Sequence, residues 1–279
     1  MNRKKVIIWA AAVVITIGSA IYQRQTGPTY PKKEKVILND TRYELKFIRS
    51  HGGASDAEIL LPIKDTAVQA DLHYKYFPPE EGEAWKTLGF SQTEEGLSAK
   101  LPNQPPAGKL MYKVSIEDSS NKLQLFEKKP IVIRYKGAVP DWILVLHVVF
   151  IFAAMLVSNT AGLYAAFKLP KFRLHTSIAF WLFIIGGMIL GPVVQKYAFN
   201  EYWAGVPFGW DLTDNKMLIA MIFWLAAFLA NRKKARPALT IAAAVVTLLI
   251  FLIPHSMFGS ELDRTSGEIT QGIILFFNF

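Results

Sequence analysis

Apolar residues gather along the chain into five runs, at 6–22, 142–167, 178–194, 217–230 and 238–253. Most approach or exceed the length of about 20 residues that crosses hydrocarbon at about 1.5 Å per helical residue. The fourth reaches that length once it is extended back to Leu212. This pattern predicts a polytopic α-helical membrane protein. Between the first and second runs the period changes. Over 34–136 apolar and polar positions largely alternate, as in Ala70-Asp71-Leu72-His73-Tyr74-Lys75-Tyr76 and Met111-Tyr112-Lys113-Val114-Ser115-Ile116. Alternation of this kind suits half-buried antiparallel strands.

Turn residues recur through this region: Asn39-Asp40, His51-Gly52-Gly53, Pro78-Pro79, Pro105-Pro106-Ala107-Gly108 and Asp118-Ser119-Ser120-Asn121. About seven to nine short strands are expected, which fits an all-β immunoglobulin-like sandwich. The segment 101–117, LPNQPPAGKLMYKVSIE, resembles the proline-rich turn and following strand of fibronectin type III domains. The resemblance covers roughly a sixth of the region and implies a fold that serves many functions, commonly binding.

Composition then separates location from chemistry. The formal charge of +9 would suggest nucleic acid in a soluble chain, but the excess is local. Arg3, Lys4 and Lys5, then Lys168, Lys171 and Arg173, then Arg232, Lys233, Lys234 and Arg236 are ten basic residues with no acid among them. Taking ten from the 31 basic residues leaves 21 against 22 acids. The three clusters fall on one side if each run crosses once, so they read as the cytoplasmic loops of a bacterial inner-membrane protein. Residues 1–23 are expected to be a membrane anchor or a cleaved signal, with 24–33 as a proline- and glycine-punctuated linker. The sandwich at 34–136 is expected outside, followed by a four-helix bundle over 137–255 and an extracytoplasmic tail at 256–279. Expected partners are the lipid bilayer and an envelope protein meeting the outer face, with no nucleic acid. The absence of cysteine excludes thiol redox chemistry, thioether-linked haem and cysteine-ligated clusters.

Chemistry is concentrated in 195–216, QKYAFNEYWAGVPFGWDLTDNK, an outer loop too polar for membrane core. Asp211, Thr213, Asp214 and Asn215 are suited to cap the next helix. Tyr202, Trp203 and Trp210 belong either to an interfacial aromatic belt or to an outer-leaflet pocket for a quinone or lipid. His147 heads a helical stripe with Ile151, Ala154, Ser158 and Gly162, and His255 ends the fifth run at a similar outer level. Ionisable groups within spans face the bundle interior and are functional candidates, whether for haem, a metal or proton relay. The plain alternative is that they bond neighbouring backbone. An oxygen-rich cation site is conceivable from His255, Asp211, Asp214, Glu261 and Asp263, although capping already accounts for Asp211 and Asp214. Gly187 and Gly191 have the GxxxG spacing of close helix contacts.

No Walker loop, GxGxxG, GxSxG or HExxH occurs, so nucleotide chemistry and the common hydrolase mechanisms lack support. Two functions remain. One is a scaffold or accessory protein whose sandwich and outer loops bind an envelope partner. The other is a cofactor-binding redox protein using His147 and His255. Transport fits less well, since no internal repeat is visible.

Overall fold

The computed structural model describes residues 3–255, 261–264, 266, 267, 269 and 270. They divide into two compact units. One holds the residues up to Pro28 and those from Val139 to His255; the other holds Thr29–Ala138 with Glu261–Thr270.

The β unit opens with a hairpin of β1 (Lys32–Leu38) and β2 (Thr41–Phe47). Its turn residues Asn39 and Asp40 both have positive φ, 45° and 62°. Such a turn matches the right-handed twist of the strands, and Asn and Asp tolerate it best among side chains with a Cβ. A six-stranded sheet follows, built from β3 (Ser50–Gly52), β5 (Gln69–Tyr76), β6 (Lys86–Gly89), β9 (Lys109–Glu117), β10 (Lys122–Leu125) and β11 (Ile131–Lys136). The order is β3-β11-β9-β5-β6, with β10 also paired to β9. A three-stranded sheet comprises β4 (Ala57–Leu61), β7 (Ser91–Thr93) and β8 (Gly96–Leu101). β6 and β7 are separated by one residue, Phe90, yet belong to different sheets. Pairing is antiparallel except between β3 and β11, which run parallel. Leu45, Phe47, Leu61, Leu72, Leu101 and Tyr135 join one contiguous core. Tyr112 is fully buried in it, and its hydroxyl donates to Ile48 O at 2.7 Å, so the polar tip is satisfied.

Residues 261–270 belong to this unit. Their strands β12 (Glu261–Leu262) and β13 (Ile269–Thr270) pair with each other. Arg264 stacks 4.0 Å over the Tyr76 ring and donates to Pro78 O at 2.7 Å. The remainder of the tail, including the apolar stretch 273–279 read as packing on the bundle or interface, lies outside the described residues.

In the helical unit, α1 (Arg3–Thr26), α2 (Asp141–Ala166), the continuous segment Phe172–Phe199 and α5 (Leu212–Lys233) are long and apolar enough to cross a membrane. α6 (Pro237–Leu252) is apolar but has 16 residues. Segment Phe172–Phe199 comprises α3 (Phe172–Phe183), a π-helical stretch Ile184–Leu190 and α4 (Gly191–Phe199). Pro192 explains the π stretch. It has no N–H for Met188 O, and its ring crowds that carbonyl. The helix widens instead, and Gly191 N bonds Gly186 O five residues back.

Small residues set the packing where helices approach closely. A Cβ on Gly162 would stand 2.6 Å from the Ala244 Cβ. Gly187 abuts Met217 of α5, whereas Gly186 abuts the α2 backbone at Phe150 and Ile151. The glycines of this segment thus serve two neighbours, and Gly187 and Gly191 do not form a single contact face. Polar pairs link the helices. Trp224, fully buried, donates from Nε1 to Thr247 Oγ1 at 2.8 Å, and Asn159 Nδ2 donates to Thr16 Oγ1 at 2.9 Å.

Candidate functional site

The third apolar segment remains helical through Phe199, so the polar loop is 200–211 rather than 195–216. The last turn of α4 is closed by Asn200 N to Lys196 O, and Lys196 Nζ reaches back to Asn200 O at 2.9 Å. A lysine at a helix C-terminus satisfies carbonyls that have no partner within the helix.

Beyond that turn the loop is fixed at many points. Asp211 is the N-cap of α5 and accepts from Thr213 N at 2.8 Å and Asp214 N at 3.1 Å. Asp214 turns its carboxylate into the loop, taking Ala204 N at 2.6 Å and Gln195 Nε2 at 3.0 Å. Asn215 Oδ1 accepts from Val206 N at 2.9 Å. Within the loop, Phe208 N and Gly209 N both donate to Gly205 O, and Asp211 N donates to Ala204 O. Gly205 is required by the close approach, since a Cβ there would lie 2.8 Å from the Asp214 Cβ. Asp211 and Asp214 are both buried. Each is spent on backbone N–H groups, the arrangement that makes a buried carboxylate tolerable.

One turn into α5, Lys216 is also buried, at 4% exposure. Its ammonium donates to Ile253 O at 2.8 Å and approaches Pro254 O at 3.4 Å. Gln23 of α1 donates to Phe251 O at 2.6 Å and Ile253 O at 3.4 Å. The end of α6 is thereby held by side chains from the first and fifth helices. Sequence reading gave no role to Lys216, Gln23 or Gln195. A lysine at the head of an apolar run was the available signal; its carbonyl partners have no local signature.

His147 lies on the face predicted for it, and Ala154, Ser158 and Gly162 of the same stripe are buried. Its Nδ1 is 2.9 Å from Gly186 O. A carbonyl only accepts, so Nδ1 carries the proton and, in the neutral ring, Nε2 keeps its lone pair. Gly186 O therefore receives two donors, His147 and Gly191 N. His255 is exposed, next to buried Pro254.

The suggested cation ligands are divided. Asp211, Asp214 and His255 belong to the helical unit, while Asp263 and the backbone of Glu261 belong to the β unit; the side chain of Glu261 lies outside the described residues. Asp263 organises its own turn, its carbonyl accepting from Gly267 N at 2.8 Å. Among the described residues, no three His, Cys, Asp or Glu side chains gather as a metal site requires. Of the aromatics, Tyr202 and Trp210 point outward at 60% and 66% exposure, and Trp203 donates from Nε1 to Val206 O at 3.1 Å.

Comparison of the chain with protein-family models, with curated proteins and with solved structures yields no match.

Proposed function

We propose that the chain is a scaffold or accessory protein of the bacterial inner membrane, with an immunoglobulin-like β domain that binds an envelope partner on the outer side. One observation carries this reading: the buried charges at the loop-bearing end of the bundle are committed to holding backbone. Asp211 caps a helix, Asp214 anchors a loop, and Lys216 serves the carbonyls of another helix end. These are the bonds of an anchor built to stay in one arrangement. The β domain has its own contiguous core and its own polar closures, which suits an independent recognition module.

The topology draws support from two directions. The basic clusters at residues 3–5, 168–173 and 232–236 lie at the start of α1 and around the α2–α3 and α5–α6 connections, and they share one side if each apolar helix crosses once. Residues 261–270 follow the last apolar helix and fold with the β domain. A segment can join that domain only on its own side of the bilayer, which supports a crossing by α6 despite its 16 residues. Deleting residues 34–136 should abolish recovery of the partner with the protein from solubilised membranes. Undiminished recovery would overturn the reading.

A second reading is favoured by one bond. The Nδ1–H of His147 is fixed on Gly186 O, the orientation that leaves Nε2 as a ligating atom and that backbone carbonyls commonly impose on metal-binding histidines. This supports a haem- or metal-binding role with His255 as second ligand. Purified protein from cofactor-replete cells would then show a Soret band or stoichiometric metal, lost in His147→Ala. Colourless, metal-free protein excludes it.

A further inference from the structure

The loop 200–211 is more tightly determined than a connection between two membrane helices requires, and it spends that order on display. Backbone bonds to Asp211, Asp214, Asn215 and Gly205 hold it in place. Its large apolar side chains face away from the protein: Phe208 is 81% exposed, with Trp210, Tyr202 and Val206 also exposed. Such exposure is costly in water, at roughly 25 cal/mol per Å² of apolar surface, and a rigid loop cannot fold it away.

We infer that this loop is an interfacial anchor that seats Phe208 and Trp210 in the headgroup and upper acyl layer of the bilayer. The occupant follows from continuity. The loop begins one residue after α4 and ends one residue before α5, so it cannot stand far from the level at which those helices leave the hydrocarbon. Exposed Tyr197 of α4, and Ile219, Ile222 and Phe223 of α5, carry the same apolar surface along the helices. Trp210 and Tyr202, rings with a polar edge, are the kind of side chain that settles at this level, and Phe208 adds purely apolar area of the kind that interfacial elements bury beside them. Lys196, its ammonium 5.4 Å from the Tyr202 ring centroid, adds a cation at phosphate height. In a protein whose α6 is short for the membrane, a rigid aromatic loop would fix the depth of the bundle. The inference rests on the helices being transmembrane and is independent of any partner of the β domain.

The chain has no cysteine, so single-cysteine spin labels report unambiguously. Labels at Phe208→Cys, at Ser119→Cys in an exposed β turn and at Ile222→Cys on α5 would be compared for the full chain in phospholipid nanodiscs. Collisions with oxygen and with a water-soluble nickel chelate give the depth of each. Position 208 is expected about 5–10 Å below the headgroup level, with 119 in water and 222 deeper. A label at 208 as accessible to the chelate as that at 119, while 222 stays lipid-embedded, overturns the anchor and leaves the membrane reading intact. If 222 is also water-accessible, the membrane reading itself fails. Protection of 208 from both reagents means that protein covers it, which likewise overturns the proposal. Position 208 makes no side-chain bond that the loop depends on, and Trp210→Cys provides a second label should the first variant express poorly.

Discussion

Lys216 Nζ sits 2.8 Å from the carbonyl oxygen of Ile253, a buried ammonium on the C-terminal end of another helix. The need is geometric. At about 1.5 Å per residue, the 16 residues of α6 span about 24 Å, less than the hydrocarbon thickness of about 30 Å. The last carbonyls of α6 have no partners within the helix, and in the proposed membrane setting they would otherwise meet a poorly hydrated layer. A cation also suits the negative end of the helix dipole.

Replacing Lys216 with Met, which removes both donor and charge, should lower stability by about 1–3 kcal/mol, the cost of leaving a buried acceptor unsatisfied. Lys216→Gln retains a donor and should lose less. Thermal unfolding in detergent compares the two. Equal losses would show that the side-chain volume, rather than the bond to Ile253 and Pro254, is what matters.

The 200–211 loop depends on Asp214. Asp214→Ala leaves Ala204 N without its 2.6 Å acceptor and should cost about 1–3 kcal/mol. Gly205→Ala drives a methyl against Asp214 and Asn215 and should cost a similar amount through overpacking. Both variants should speed amide exchange at Ala204 and Val206. Exchange as slow as in the parent protein would mean that the loop is ordered by something else.

Between helices, Thr247→Val removes the acceptor of the Trp224 indole while preserving shape. The expected loss is about 0.6 kcal/mol and no more than about 1.7, the range measured for hydrogen bonds inside membrane bundles. Equilibrium unfolding of the two proteins side by side provides the measurement. A stability gain would contradict the role assigned to the pair.

In the β domain, acid should be destabilising through Asp118 and Asp65. Backbone N–H groups of Ser120, Asn121 and Asn39 hold the Asp118 carboxyl below the ordinary carboxylate range. The Asn39 side chain and Ala67 N do the same for Asp65. A carboxylate whose pKa is lower folded than unfolded contributes stability in full above the unfolded value of about 3.9. That contribution disappears as pH falls through the folded value. The unfolding midpoint should therefore drop below about pH 4, and Asp118→Asn should both lower the midpoint at neutral pH and flatten this acid limb. An unchanged limb in the variant would assign the effect to other groups.

Local patterning made much of this legible. The apolar runs mark the helices, Leu212 is the first residue of α5, and Asp211 caps it as its position before an apolar run suggests. Strands at Gln69–Tyr76 and Lys109–Glu117 fall on the two segments, 70–76 and 111–116, where alternation places them. What the pattern did not reveal has no local signature. The π stretch lets the helix continue past Pro192 into the polar residues 195–199, where apolar character alone gives out. The parallel pairing of β3 with β11 joins segments more than 80 residues apart. The bond of Gln23 to Phe251 spans 228 residues, and only three-dimensional proximity defines it.

Arg264 on Tyr76 and Pro78 also imposes an order of events on biosynthesis. The main body of the β domain is complete at Ala138, yet the residues that close over Tyr76 come more than 120 positions later, after the last helix. At about 5–20 residues per second, the nascent domain waits roughly 6–25 s for its final piece. During that wait the Tyr76 edge is uncovered, available to a chaperone or to a neighbouring nascent chain. Completion of the domain thus reports that the described helices, through α6, have been synthesised.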